Sequence, residues 1–399
     1  MNAIDLRSPG QERNTALDLL RAAITVLVVA HHAVLAYHPY APPLGTFGGG
    51  DRSWGAFPVV DAHRWAGIDV FVGFNDTFFM SLMFFLSGLF VWHGLQRKRA
   101  AGFLRDRALR LGLPFLVSAV VLAPLAYVPA WLQRGGTGGP GGFLQAWSSL
   151  GMWPAGPAWF LWVLLVLDVL AALAWRIMPD RVEALGRSIA GRTPAVLFAW
   201  LAVIGVIAFV PLARIVDPSS WSTYGPFSVQ TSRILLYAAF FAVGVAVGAW
   251  GIERSVLAAQ GALGRRWVRW SNGAAAAYVL LVALFITLLV TNAKQQPVPG
   301  LETATLAAFA VSCAATSLAF LALFLRFARH RGAISASLVR NAYGIYLVHY
   351  AGVTWLQFAL LDIDWPGAAK GMTVFFGALA LSWATVSAVR RVPVVARVL

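Results

Sequence analysis

Ten apolar runs constrain this chain more than any other feature. They fall at about 15–37, 76–94, 111–130, 158–178, 194–213, 231–250, 274–292, 304–326, 341–361 and 371–389. Each is close to the ~20 residues that carry an α-helix across a bilayer. Lipid offers a backbone no hydrogen-bonding partner, so runs of this length must be helices. A membrane β-barrel would alternate apolar and polar residues instead. Only 12% of the 399 residues are charged, against about 25% in a soluble domain. The expected fold is all-α: a polytopic membrane protein of about ten transmembrane helices, forming one domain over residues 1–399 embedded in the lipid bilayer.

The net charge is +15. A value of that sign can mark a nucleic-acid partner, but its placement argues for a membrane. With the N-terminus set in the cytoplasm, 23 Lys and Arg residues fall in segments on that side. Seven fall opposite: Arg52, Arg64, Arg134, Arg214, Arg233, Lys294 and Lys370. The positive-inside rule then puts both termini in the cytoplasm, and no nucleic-acid partner is expected. The single cysteine, Cys313, lies in an apolar run and reads as a small packing residue. There is no disulfide framework, no Cys-x-x-Cys and no zinc pattern, so no metal is expected. The first run is long and polar-studded with no small-residue cleavage site after it, so no cleavable signal peptide is expected.

That first run, RNTALDLLRAAITVLVVAHHAVLAYHPY from Arg13 to Tyr40, carries Asp18, Arg21, His31 and His32. Ionisable groups at bilayer depth are costly and mark functional sites by default. Asp18 and Arg21 precede His32 by fourteen and eleven residues, close to four and three whole turns at ~3.6 residues per turn. Asp18, Arg21, Thr25 and His32 therefore share one helix face, with His32 about 16 Å beyond Arg21, while His31 points roughly 100° away. Such a stripe resembles a lined path more than a lipid-facing surface.

Other polar residues are less decided. Arg107 and Arg110 are one turn apart, so both guanidinium forks can face one anion; ordinary inside basicity accounts for them equally well. It accounts better for Arg97, Lys98 and Arg99. Asp168 stands alone in AWFLWVLLVLDVL and needs a cationic or hydrogen-bonding partner, structural or functional. His349, near mid-bilayer in YGIYLVHY, is open between a helix–helix hydrogen bond and catalysis. Asp69 and Asp76 fall at the outer end of the second run, on the side of His32. Either could orient an imidazole as the third member of a base–orienter arrangement, with surface solvation the alternative. Trp54, Trp65, Trp147, Trp153 and Trp159 read as an interfacial belt, with stacking on sugar rings the alternative.

Four segments in order carry a family resemblance: LDLLRAAITVLVVAHH; MSLMFFLSGLFV followed by FLRDRALRLGLPFLV; AWFLWVLLVLD; and YGIYLVHY. They span about residues 18 to 350 and resemble the membrane-bound acyltransferase-3 family. The LGLP segment is similar to the branch of glucan succinyltransferases. The resemblance implies a bacterial plasma-membrane enzyme that moves an acyl group, acetyl or succinyl, from cytoplasmic acyl-CoA to a hydroxyl of an extracytoplasmic saccharide or lipid-linked acceptor. It places the essential His at His32, not His31, and the Arg-x-x-Arg pair at Arg107 and Arg110. Arg21 either stabilises donor phosphates or pairs with Asp18 to hold the first helix; the donor role is expected for Arg21 and a structural pairing for Asp18. The chain departs from the family at His31, which makes a double histidine, and at VGFNDTFFMSL, which bears on Asp69 and Asp76. Acyl transfer to an alcohol needs a base and a stabilised oxyanion. His32 is the base expected, with Asp76 a candidate to support it. Two other classes compete: a transporter or flippase for a lipid-linked sugar, whose inverted repeats and broken helices are not evident here, and a membrane scaffold without chemistry.

Overall fold

A computed structural model describes residues 14–50 and 53–399; Arg7, Arg13 and Arg52 lie outside them. The helices that build the bundle are α1 (Thr15–Val34), α2 (Ile68–Gly88), α3 (Val91–Arg107), the short α4 (Leu113–Val117), α5 (Ala123–Gln133), α6 (Trp159–Ile177) and α7 (Pro194–Ile215). After these come α8 (Ile234–Trp250), α9 (Trp267–Ala293), α10 (Leu301–Phe327), α11 (Ala333–Ala359) and α12 (Gly367–Val389). Shorter helices decorate the connections, and one two-stranded hairpin, Trp221–Tyr224 with Phe227–Gln230, lies between α7 and α8.

Among the described residues, nine helical segments are long and apolar enough to cross a membrane. Helix α11 has the length, 27 residues, but its apolar density is diluted by buried Asn341, His349, Thr354 and Gln357. It still joins the two ends of the bundle. Helix α10 finishes beside Arg331, which pairs with Asp18 at the start of α1. Helix α12 carries Lys370 in its first turn, which pairs with Asp61 beyond the end of α1. The chain is thus an all-α polytopic membrane protein, as expected.

Helix α1 starts at an Asn14 cap whose side chain accepts from the Leu17 amide at 3.3 Å. It is packed by α2, α10, α11 and α12. At the other extreme, α9 lies along α10 with Ala274 and Leu281 as its buried residues, so α9 faces lipid. The second crossing starts at Ile68, eight residues before the expected position, because the polar Asn75-Asp76-Thr77 triplet lies inside the helix. Its Ser87-Gly88 end meets Gly244 and Gly248 of α8. A Cβ on any of these three glycines would strike the backbone of the opposing helix, so the glycines set how closely α2 and α8 approach.

Helix α3 is a hairpin. It reverses at Arg99, whose φ of 55° breaks the helical path. Gly94 packs on Phe103, and Lys98 pairs with Asp106 across the turn. The third crossing follows, alternating π-helix (Ala108–Gly112, Ser118–Leu122) with α4 and α5. Pro114, Pro124 and Pro129 cause the irregularity, because each lacks the N–H that an upstream carbonyl needs. Each freed carbonyl finds a side-chain donor, as lipid burial requires. The Tyr343 hydroxyl donates to Arg110 O, Trp153 Nε1 to Ala119 O at 2.7 Å, and Trp355 Nε1 to Leu125 O at 3.0 Å.

The outer connections are packed, not splayed. Trp54, Trp131, Trp147 and Phe143 form a buried cluster with Tyr127 and Tyr350. The belt expected of Trp54, Trp147 and Trp159 is therefore not what forms: all three are at most 8% exposed. Outer cations are engaged as well. Arg134 donates to Pro58 O at 2.6 Å, Arg214 pairs with Glu302, and Lys370 is wholly buried against Asp61 at 2.7 Å. Removing one member of such a buried pair leaves an uncompensated charge costing about 3–5 kcal/mol, whereas replacing both by apolar groups is near neutral. Thermal unfolding in detergent is therefore expected to show Lys370→Met well below wild type, with the Lys370→Met/Asp61→Leu double variant recovering most of the loss.

Candidate functional site

The face of α1 read from its periodicity lies between two polar environments. At its N-terminal, basic end is a cavity of about 900 Å³. Asp18 and Arg21 of α1 line it, as do Phe90 and His93 near the α2–α3 junction. The α3 hairpin and the segment after it add Arg97, Lys98, Arg107 and Arg110, and the turn after α8 adds Arg254. Two of the acids on its wall are already matched, Asp18 by Arg331 at 2.5 Å and Asp106 by Lys98. The remaining guanidinium groups give the cavity an excess of positive charge.

Aromatic rings and one buried acid hold those cations in place. Arg21 sits over Phe90 at 5.4 Å, Arg107 over Phe103 at 5.0 Å and Arg254 over Trp250 at 4.8 Å, contacts that favour the cation electrostatically. Arg107 Nε also lies 3.2 Å from Asp168 Oδ2. Asp168 is wholly buried, and this charge contact is the partner that an isolated acid in α6 demanded. Arg110 is exposed toward the cavity, with its carbonyl fixed by Tyr343. The pair Arg107 and Arg110 therefore divides, the first anchored and the second free. The structural partner of Asp18 is Arg331 and not Arg21; Arg331 sits just before α11 and entered the sequence reading only as one of the 23 cations counted on the cytoplasmic side.

Eleven residues further along α1, His32 meets α11. His32 Nδ1 lies 2.9 Å from Val28 O and 3.2 Å from Nε2 of His349. His349 is wholly buried, and its Nδ1 lies 2.7 Å from Tyr346 O. Tyr350 meets the His32 ring edge-on at 5.1 Å. Gln357 donates to His32 O at 2.9 Å and Ala33 O at 3.1 Å, satisfying carbonyls of the last turn of α1. His31 points elsewhere. It stacks on Phe79 of α2 at 5.3 Å, and its Nδ1 is buried without a partner.

Asp76 does not take the orienting position. Its carboxylate accepts from Arg233 Nη2 at 2.7 Å, and its carbonyl accepts from Nη1 of the same guanidinium at 3.0 Å. Arg233 in turn lies over Phe309 at 4.7 Å. Among the described residues no carboxylate bonds to His32; its side-chain neighbour is another imidazole. Asp69 lies in the first turn of α2, apart from the His32 contacts. Arg233 was counted from sequence as an outer loop cation. The signal that could have found it is its place directly ahead of an apolar run, beside the polar Gln230 and Ser232.

This geometry ranks the two arginines. Arg107→Ala leaves Asp168 buried without a counter-charge, a loss of about 3 kcal/mol or more, whereas Arg110→Ala at an exposed position stays within about 0.5 kcal/mol. Thermal unfolding at neutral pH is expected to separate them in that order.

Neither the curated proteins nor the solved structures yield a match to this chain. A protein-family model described as an acyltransferase domain does, over residues 14–387, nearly the whole length. That span takes in the α1 stripe, the arginine-lined cavity and the His32–His349 contact together, so the chain belongs to this acyltransferase family and is a multi-pass membrane acyltransferase.

Proposed function

We propose that the acyl donor is an acyl-CoA, carrying acetyl or succinyl, bound from the cytoplasm in the cavity at the basic end. The acyl group passes to a hydroxyl of an extracytoplasmic saccharide or lipid-linked acceptor, with His32 as general base, in a bacterial plasma membrane. One observation carries this reading: a cavity of about 900 Å³ lined by Arg21, Arg107 and Arg110 opens on the same helix face as His32, about 16 Å along α1. Donor phosphates suit such a site, because guanidinium forks bind phosphate oxygens in pairs. The residues present fit the donor's charge, and the exposed Arg110 is free to meet it. A bound acyl-CoA supplies the activated thioester; the chain supplies the rest. Arg21, Arg107 and Arg110 hold the anionic end, and α1 directs the acyl arm along its polar stripe. His32 takes the acceptor hydroxyl proton as the new ester bond forms. It then returns that proton to the thiol sulfur as the carbon–sulfur bond breaks.

Binding of acetyl-CoA and succinyl-CoA to the detergent-solubilised protein across a salt series tests the donor. Charge-assisted hydrogen bonds contribute ~1.5–3 kcal/mol each, so Arg107→Ala/Arg110→Ala is expected to weaken binding on the order of 100-fold. The wild-type affinity should fall with salt as the charges are screened. No binding of either donor by the wild type would overturn the reading and return the polar stripe to a transport pathway. A second experiment addresses the base. His32→Ala is expected to lower acyl transfer by about 10²–10⁴-fold while leaving donor affinity intact; full transfer in that variant would remove His32 from the chemistry.

A further inference from the structure

We infer that His349 is a positioning residue for His32, and that it fixes the tautomer leaving Nε2 of His32 free to accept a proton. This inference rests on His32 being the base proposed above.

Two carbonyls bracket the imidazole pair and settle where its hydrogens lie. Val28 O, 2.9 Å from His32 Nδ1, can only accept, so Nδ1 of His32 carries a hydrogen. His349 Nε2, 3.2 Å from that same nitrogen, must then present its lone pair, since two N–H groups would face each other otherwise. The single N–H of a neutral His349 lies on Nδ1, where Tyr346 O stands 2.7 Å away to accept it. The bonds form one directed chain: His32 Nδ1–H to His349 Nε2, and His349 Nδ1–H to Tyr346 O. Read from either end it gives the same assignment. It leaves one ring nitrogen in the pair with an unshared lone pair and, among the described residues, no hydrogen-bond partner: His32 Nε2.

Val28 O cannot do this alone. It lies one turn back on the same helix and already accepts the backbone N–H of residue 32 in the α-helical ladder. A shared acceptor on its own helix holds an imidazole weakly. His349 adds an acceptor from a separate helix, and it cannot itself move, being wholly buried and tied back to Tyr346. Gln357 fixes the backbone of the same turn from the same helix. The other groups around the His32 ring are His31, with ring centroids 5.5 Å apart, and Tyr350. The nearby acid Asp76 is bonded to Arg233. The orienting work that a carboxylate performs in a serine-protease triad is done here by a second imidazole. When Nε2 of His32 takes the hydroxyl proton, the resulting imidazolium keeps two neutral acceptors at Nδ1, and the proton leaves again from Nε2 to the thiol sulfur.

Three substitutions in the full-length protein separate positioning from packing. Gln places its Oε1 where His Nε2 was, whereas Asn places its polar atoms nearer Nδ1, and Phe removes both. Release of thiol from acetyl-CoA is followed with water as acceptor. His349→Asn and His349→Phe are expected to lower kcat about a hundredfold with KM for acetyl-CoA unchanged, and His349→Gln to recover at least tenfold of that. A readout independent of turnover is the ¹⁵N spectrum of histidine-labelled protein. His32 should show a protonated Nδ1 and an unprotonated Nε2 in the wild type, and a tautomer mixture in His349→Phe. Full kcat in both His349→Phe and His349→Asn, or an unprotonated Nδ1 at His32 in the wild type, overturns the inference. An inactive His32→Ala beside a fully active His349→Phe removes the positioning role alone, whereas an active His32→Ala removes the base on which it rests.

Discussion

Helix α1 holds an acid and an imidazole at bilayer depth because α11 and the residues before it run alongside and answer each one. Arg331 meets Asp18, His349 meets His32, and Gln357 closes the carbonyls of the last turn. Without these contacts each group would be a bare polar cost in lipid. The same helix reaches the third crossing, where Tyr343 takes the Arg110 carbonyl that Pro114 leaves open. Tyr343 and His349 are six residues apart, about 9 Å along the helix. One rigid element therefore sets the arginine pair and the histidine in a fixed relation. A shift of α11 would disturb both together.

This dependence explains what was legible in the sequence and what was not. The α1 stripe could be read because helical periodicity is local: Asp18, Arg21 and His32 fall on one face whatever surrounds them. The need of Asp168 for a partner was legible from its cost. That the partner was Arg107 was not, because ion pairs between helices leave no mark in local pattern. His32 and His349 are 317 positions apart, and either histidine alone is compatible with ordinary packing. Asp76 was misplaced for a different reason. A hydropathy run breaks at Asn75-Asp76-Thr77, so the second helix looked shorter than it is and Asp76 looked like an end residue. With the helix extended back to Ile68, the carboxylate sits two turns in and pairs with Arg233. Tryptophan content suggested a belt because sequence reports aromatic abundance and not which way a loop folds.

The arginines show how one residue type serves two purposes in the same protein. Arg107 is partly desolvated against Asp168 and Phe103, and Arg233 against Asp76 and Phe309. Both are held by an acid and a ring, an arrangement that suits the planar, weakly hydrated guanidinium better than an ammonium. Arg110 has neither and stands in the cavity. The fixed arginine stabilises the wall while presenting part of its guanidinium to the cavity, and the free one faces the cavity without such an anchor. Positive-inside counting cannot make this distinction, since it weighs every cation on a side alike.

Aromatic rings line the outer side of His32, which itself stays partly exposed. Tyr350 touches His32 at 5.1 Å, Tyr127 lies 5.9 Å beyond Tyr350, and Trp147 lies 5.8 Å beyond Tyr127, by ring centroids. The loops that carry Trp54 and Trp147 are Gly- and Pro-rich, which lets them fold down onto the bundle instead of standing in solvent. Displacing water from around an imidazole strengthens the hydrogen bonds that orient it, because the effective dielectric falls. The same packing slows the competing transfer to water without preventing it, since water is itself a hydroxyl acceptor. The aromatic cap and the His32–His349 bond therefore act on one quantity. The wholly buried His349 is an effective orienting partner because water does not compete for its bond, and the partly exposed His32 ring keeps a face open to an acceptor.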